Sequence, residues 1–320
     1  EQAADQIGEC IGHVFPPRKW PKIRENVEIL AVALAVAMGF RTYIIQPFKI
    51  PTGSMQPTLY GITVKPQEKR SLMDIPPLSF VRFIVFGEKY FEIKAKSAGP
   101  MRLRGQAVAE FIENEIKTGQ IVGKTGLPGT VSIFDIGGVM HLIHPDMTAH
   151  VQPGEEVQPS QVLASGVVKY GDHIFVDKIR WNFSRPKRGN VIVFSTDGIA
   201  YRNIRPNSFY IKRLVGLPGE HISIDPPYLV VNGQKIEEPY PFRRLLTEKG
   251  YIGYRLARAD AQLANPWDTI DVGDEEFLPF GDNTEQSLDG RYFGPVSRQN
   301  LVGPAFFVYW PFTKRWGMVR

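Results

Sequence analysis

Residues 29–40 read ILAVALAVAMGF, twelve uncharged residues in succession and the one long apolar run of the 320-residue sequence. Such a run must be withdrawn from water, into a protein core or into lipid. Twelve falls short of the roughly 20 residues that a spanning helix needs. Val27 to Ile45 makes about nineteen if Glu28 and Arg41 reach back to the two interfaces. Arg18, Lys19, Lys22 and Arg24 lie just upstream, so the positive-inside rule puts residues 1–26 in the cytoplasm and the bulk of the chain outside. Two other readings compete. One is a buried core helix. The other is a cleavable leader, because Ala33-Leu34-Ala35 and Ala35-Val36-Ala37 look like A-x-A cleavage sites. The favoured expectation is a single uncleaved anchor over residues 27–45.

Beyond the anchor the sequence reads as short strands and turns. The 30 glycines and 26 prolines follow no G-X-Y period and act as turn punctuation. Strands are expected over residues 80–86, 174–177, 191–194, 208–215, 221–224, 228–231 and 305–309, with turns at Gly171-Asp172, Pro218-Gly219 and Asn232-Gly233. Short helices are expected over 105–117 and 256–263. Charged residues at 22% and hydrophobic residues at 43% exclude wholesale disorder. A net charge of +5, spread along the chain, supplies no dense nucleic-acid footprint but suits an anionic lipid surface. The one cysteine, Cys10, excludes an internal disulfide and a cysteine-based zinc site.

Residues 62–166 differ in texture from the C-terminal half of the chain. PGEEVQPSQVLASG at 153–166 resembles half of a barrel-sandwich, lipoyl-like repeat, but the Met-Lys-Met turn of those carriers is missing. The region is therefore read as a structural β-rich insertion. It contains His141, His144, Asp146 and His150, which could ligate a metal; histidines in a polar loop are more often simply solvated. No metal or organic cofactor is expected.

Three segments can carry chemistry. In FKIPTGSMQPTL (48–59), Pro51, Gly53 and Pro57 surround Ser54. The prolines fix the backbone and Gly53 permits an unusual angle, so one hydroxyl is held exposed beside an unpaired N–H, half of an oxyanion hole. In NSFYIKRLVGLPGE (207–220), alternation puts Ser208, Tyr210, Lys212 and Leu214 on one face of a strand and Phe209, Ile211, Arg213 and Val215 on the other. Both faces are largely apolar, so burial is expected to depress the Lys212 amine toward a neutral base able to take a serine proton. In FGDNTEQSLDGRYFGPV (280–296), Gly281-Asp282-Asn283 signals an Asx-type turn, and Ser287, Asp289 and Arg291 share a side if the segment is extended. Taken singly, each segment has an ordinary alternative: a turn serine, a snorkelling lysine, a surface loop. A Ser–His–Asp triad is the natural rival chemistry, but there is no G-x-S-x-G element and His173 is the only nearby histidine.

Together, and in this order, the segments resemble bacterial type I signal peptidase, the membrane-anchored Ser–Lys protease. FKIPTGSMQPTL looks like its nucleophile box, GDHIFVDK (171–178) its next strand box, YIKRLVGLPGE (210–220) its lysine box and GDNTEQSLDGR (281–291) its last box. YLVVNGQKIEEPY (228–240) and AFFVYWPF (305–312) also look like the family. The resemblance implies a mainly β fold: an antiparallel β-sheet catalytic domain over 46–61 and 167–320, an N-terminal transmembrane helix over 27–45, a cytoplasmic tail over 1–26 and the inserted β-rich region 62–166. About 105 residues separate the first two boxes where simpler members have a few, so the likeness covers about two thirds of the chain.

Matched residue by residue, the resemblance makes Ser54 the nucleophile and Lys212 the general base. The Ser54 N–H and the Thr52 hydroxyl would hold the oxyanion. Thr52 stands where many members carry serine. Ser287 would hydrogen-bond the Lys212 amine. Asp282 with Arg213, Asp289 with Arg291, and Gly281 would brace the site. Phe48, Ile50, Pro51, Met55, Leu59, Tyr210 and Ile211 would line shallow pockets for small side chains. The implied activity is cleavage of exported preproteins after A-x-A-like sites at the cell membrane, with the catalytic domain extracytoplasmic, lipid as a neighbour and no nucleic-acid partner. Two alternatives stay open: a membrane-anchored β-rich binding protein of the same fold without peptidase activity, and a self-cleaving Ser–Lys repressor-type protease, which lacks its helix-turn-helix signal here.

Overall fold

A computed structural model describes residues 20–108, 121–122, 127, 129–202 and 204–319. The chain divides into two compact units, 1–45 and 46–320. In the first, a helix runs over Pro21–Tyr43 with proline in its opening turn, where the missing N–H costs nothing. Arg24 pairs with Glu28 at 2.6 Å along one face. Lys22, Arg24, Glu25 and Glu28 occupy its first two turns and Arg41 its last. Among the described residues no helix is long and apolar enough to cross a membrane. The anchor expected over 27–45 falls on this helix only as far as Tyr43, Ile45 already opening a strand, and the helix's long uncharged stretch is limited to 29–40.

The second unit is built from sheets that are antiparallel except where Ile121–Val122 runs parallel to Val139–Ile143. The principal sheet has the order Ile45–Lys49, His173–Asp177, Leu301–Trp310, Val191–Ser195, Phe209–Gly216, Glu276–Phe280, Val296–Ser297, with Gly317–Met318 beside Leu301–Trp310. Its inner strand Val191–Ser195 is nearly a continuous apolar run, because a strand covered on both faces has no polar side to show. Val191–Phe194 are all buried. Phe209–Gly216 lies between Val191–Ser195 and Glu276–Phe280, with Lys212 opposite Ile192 and Arg213 opposite Phe280. These neighbours satisfy its two edges; its faces are covered by packing, Leu214 and Tyr210 in the core of Ile192 and Phe194, and Val215 and Ile211 in cores with Ile222 and with Val193. A second sheet, Gln234–Ile236, Tyr228–Val231, His221–Asp225 and Ile270–Asp271, packs with helix Tyr240–Thr247 around Ile222, Leu229, Phe242, Leu245 and Tyr254.

Between the first two strands of the principal sheet the chain makes its long excursion. Thr63–Pro66, Val162–Lys169 and Glu88–Lys94 form one sheet with Thr148–Ala149, and Arg102–Val108, Thr130–Ile136, Val139–Ile143 and Ile121–Val122 another. Ile62, Val64, Ile93, Met101, Ile136, Leu163 and Val168 share a core of their own. Strand Val162–Lys169 carries the chain back out and runs across residue 166.

Three local expectations are overturned. Residues 80–86 are not a strand but most of a helix, Leu78–Phe86. A short apolar run rich in Phe, Val and Ile suits either state. The ends decide: Pro77 stands before the first turn, and Gly87 closes the helix at φ 65°, its N–H on the Phe83 carbonyl. Residues 256–263 form no helix, whereas Tyr240–Thr247 do, with proline in the first turn and Phe242 and Leu245 as the buried face. Residues 105–108 belong to strand Arg102–Val108 rather than to a helix. The rest of that expected helix, 109–117, lies outside the described residues, as does Cys10.

Candidate active site

The loop after the first strand is pinned at both ends. The Ile50 N–H donates to the Asp172 carbonyl and the Ile62 N–H to the Pro51 carbonyl. Gly171 permits this approach, since a Cβ there would lie 1.9 Å from the Ile50 oxygen. Asp172 is fully buried and accepts from the Tyr60 N–H and from Arg315. Inside the loop, turns close from Gln56 N–H to the Gly53 carbonyl and from Leu59 N–H to the Met55 carbonyl. From the opposite side, Asn283 donates its backbone N–H to the Ser54 carbonyl at 3.0 Å and its side-chain amide to the Gly53 carbonyl at 3.2 Å. Among the described residues no backbone carbonyl takes the Ser54 N–H.

Ser54 and Lys212 are 158 residues apart in sequence, yet the Lys212 Nζ donates to the Ser54 Oγ at 2.8 Å. Both side chains are buried, Ser54 at 7% and Lys212 at 5% exposure. Burial pushes the Lys212 amine down from 10.5 to about 8; Asp289 and Asp282 pull it back up and Arg291 pushes it further down. Neither carboxylate is available to the lysine as a private counter-ion, because each is already paired. Arg213 meets Asp282 at 2.7 and 2.6 Å, with Thr58 donating to Asp282 and accepting from Arg213. Arg291 meets Asp289 at 2.9 and 3.0 Å. All four are buried. For Arg213, Asp289 and Arg291 desolvation is the largest single effect, but the partner's charge and hydrogen bonds together outweigh it: both guanidiniums are held above and the Asp289 carboxyl below its usual range. The surroundings of Lys212 are therefore close to electrically balanced, and desolvation decides its state.

Gly281 lets the last box come this close: a Cβ there would stand 2.1 Å from the Ser287 Oγ and 2.6 Å from the Ser54 carbonyl oxygen. Its N–H donates to Asp289. Asp289 and Arg291 do pair, though not by extended spacing. Asp289 caps the short helix Gly290–Phe293 and takes the Arg291 N–H as well. Ser287 departs from expectation. It is buried, but its hydroxyl has no hydrogen-bond partner, Lys212 included. It lies near enough to Asp289 to help keep that carboxylate ionised. Residues 284–286 form a single 3-10 turn, after which the Ser287 Oγ stands against Gly281.

The Thr52 hydroxyl lies 3.4 Å from the Ser54 Oγ. A cleft of about 330 Å³ opens over the pair, lined by Phe48, Ile50, Pro51, Met55, Tyr210 and Ile211 as expected, together with Lys49, Phe209, Gln286 and Leu288. Leu59 does not reach the cleft; it is fully buried in the core beneath the loop with Ile174 and Val176. Sequence reasoning misses the bracing roles of Asn283 and Thr58. The Asx-turn signal at Gly281-Asp282-Asn283 and the Thr58 hydroxyl beside Pro57 are the available hints.

His173 cannot complete a triad here. Its Nδ1 is on the Gly171 carbonyl, its ring packs edge-on against Trp310, and it does not line the cleft. His141 is buried, its Nε2 taking the Lys96 N–H and its Nδ1 on the Val139 carbonyl, while His150 bonds Ser165. Among the described residues no group of three or more His, Cys, Asp or Glu side chains is placed to hold a metal ion.

The family model for signal peptidase, peptidase S26, matches residues 157–310. The chain is 32% identical over 160 residues to a signal peptidase I of Leptolyngbya laminosa, covering 50% of this chain and 66% of that relative. It is 31% identical over 169 residues to a signal peptidase IB of Staphylococcus aureus, covering 52% of this chain and 80% of the relative. The chain belongs to the signal peptidase I family. A solved signal peptidase I from Enterococcus faecalis aligns at 25% identity over 38% of this chain and 97% of its own, with a TM-score of 0.28. The family match begins at residue 157, so residues 62–156, most of the excursion, lie outside it.

Proposed function

We propose that this signal peptidase family member is a serine endopeptidase that removes signal peptides from exported preproteins after small residues, using Ser54 and Lys212 as its dyad. One observation carries the reading: a buried lysine amine with a depressed pKa sits 2.8 Å from a serine hydroxyl at the floor of an open cleft. Neutral Lys212 takes the Ser54 proton as Ser54 attacks the scissile carbonyl. The developing oxyanion is held by the Ser54 N–H and the Thr52 hydroxyl. Lys212 returns the proton to the leaving amine, and water activated by the same amine releases the acyl group. A narrow cleft walled by Ile50, Pro51, Met55 and Tyr210 admits small side chains, which suits an A-x-A-like site.

The membrane placement belongs to the same reading. Helix Pro21–Tyr43 is about 34 Å long at the usual rise per residue. Ile29, Val32, Leu34, Val36 and Met38 are each more than half exposed, an apolar surface that suits lipid. The upstream basic residues favour a cytoplasmic N-terminus and an extracytoplasmic peptidase domain. The test is cleavage of a preprotein by the intact chain, by Ser54→Ala and by Lys212→Met, with the product N-terminus read by mass spectrometry. Cleavage after the A-x-A site by the intact chain alone is expected. Undiminished cutting by either variant would overturn the dyad.

A further inference from the structure

Helix Leu78–Phe86 in the excursion reads LSFVRFIVF, seven large apolar residues out of nine, and not one is buried. Phe80 is 67% exposed, and Leu78, Val81, Ile84 and Phe86 each 40–46%. The turn before it adds Leu72 at 78% and Ile75 at 51%. The helix is inside out. Its one charged residue, Arg82, is 14% exposed and tied inward to Asp74 and Glu88. A helix facing water turns its charges outward and its apolar stripe inward.

The helix is nonetheless held firmly. The Trp310 Nε1 donates to the Ile84 carbonyl and the Phe312 N–H to the Val85 carbonyl. Phe83 packs against both Tyr170 and Trp310 at 5.5 Å. The exposed apolar side chains are therefore presented on a rigid mount, and Phe312 and Trp316 extend the patch past the helix end.

The charges around the patch are sorted. The acids paired beneath it are largely sequestered: the Asp74 side chain is fully buried and those of Glu88 and Glu92 are 18% and 16% exposed. Of their cationic partners, Arg82 and Lys169 are held inward at 14% and 25%, while Lys65, Arg70 and Lys94 stand out into solvent at 61%, 58% and 53%; Glu68 is the exposed acid among them. An apolar crest with an outward cationic rim and an edge tryptophan complements an anionic bilayer surface, where aromatic and aliphatic groups enter the acyl boundary and cations meet the headgroups.

We propose that residues 72–86 form a lipid-contacting wedge, which seats the domain on the headgroup–acyl boundary of an anionic membrane. This contact is additional to the helix at Pro21–Tyr43 and independent of the Ser54–Lys212 chemistry. It gives the excursion a role that the family match does not cover.

The test uses the full chain carrying Cys10→Ser and Phe80→Cys, labelled at residue 80 with an environment-sensitive fluorophore and reconstituted into vesicles containing anionic phosphatidylglycerol. A label at Glu237, the exposed residue just after strand Gln234–Ile236 of another sheet, serves as the control. The residue-80 label should shift to the blue and be quenched by spin-labelled acyl chains, while the control stays water-like. Phe80→Asp with Ile84→Asp should raise KM about tenfold for a vesicle-embedded preprotein, through the lost apolar contact. The same variant should leave cleavage of a soluble peptide unchanged, which also reports that it folds. A residue-80 label that stays exposed to aqueous iodide in vesicles overturns the wedge, and so does protection by self-association in detergent without lipid. Failure of the peptidase reading would instead appear as loss of soluble-peptide cleavage by the unmodified chain.

Discussion

Raising the pH through the titration of Lys212 should switch the enzyme on, and the size of the effect can be worked from the site. The amine is pushed from 10.5 to about 8 chiefly by burial. At pH 7 a group with that value is about one part in ten neutral, whereas the unperturbed amine would be neutral in roughly one molecule in 3,000. Desolvation thus multiplies the working base roughly 300-fold, an effect on the order of 3 kcal/mol. Because Asp282 and Asp289 are neutralised by their own arginines, salt should move this value little. The assay is kcat/KM for a soluble fluorogenic peptide bearing an A-x-A site, measured from pH 6 to 10.5 at two ionic strengths. The expected profile climbs about tenfold per pH unit up to about 8 and then levels. A profile flat from pH 6 to 9, or one still climbing tenfold per unit beyond pH 10, would refute the argument that burial sets this lysine's state.

The same shift carries a cost to stability. The unfolded lysine, at 10.5, binds its proton more tightly than the folded one at about 8, so the penalty is fully present below about pH 8, shrinks as pH rises through that window and is gone above 10.5. Lys212→Met should therefore be more stable than the parent by up to about 3 kcal/mol at pH 7, with the difference closing toward pH 10.5; equal urea midpoints at pH 7 would contradict this. Thr52→Val should lower kcat by about 10²-fold or more while Thr52→Ser restores it, and single-turnover acylation rates would show whether the hydroxyl or merely its bulk matters. Asp282→Asn leaves the fully buried Arg213 without its counter-charge and should cost about 3–5 kcal/mol in denaturant unfolding. A loss below about 1 kcal/mol would mean that the pair is solvated in a way its burial does not suggest.

Local rules reach some parts of this molecule and not others. The strands Tyr228–Val231 and His173–Asp177 are legible because β-branched and aromatic runs between turn residues have few other solutions. The helix Leu78–Phe86 is not, since apolar content alone does not separate a short helix from a strand; Pro77 and Gly87 hold the missing signal. The helix Tyr240–Thr247 escapes in the same way, its evidence being Pro241 in the first turn and Phe242 and Leu245 spaced for one face. Membership of the nucleophile box assigns Leu59 to the cleft, but box membership does not say which way a side chain points. It points down, into the core of Ile174 and Val176.

The amino-acid sequence by itself determined the family and the order of its boxes, and it supplied the serine and lysine proposed as the dyad. It also determined that Lys212 would fall on a strand with two apolar faces, because alternation is a property of the local chain. Only the tertiary structure decided that this strand lies inside the sheet between Val191–Ser195 and Glu276–Phe280, and that its amine meets a hydroxyl 158 residues away. It alone neutralised both neighbouring aspartates and turned Ser287 toward Gly281 rather than Lys212. It alone turned the charge of helix Leu78–Phe86 inward and its apolar residues outward. The physical reason is common to all of these. Desolvation and charge pairing are set by which groups surround a side chain in space, and residues far apart in the chain supply most of them.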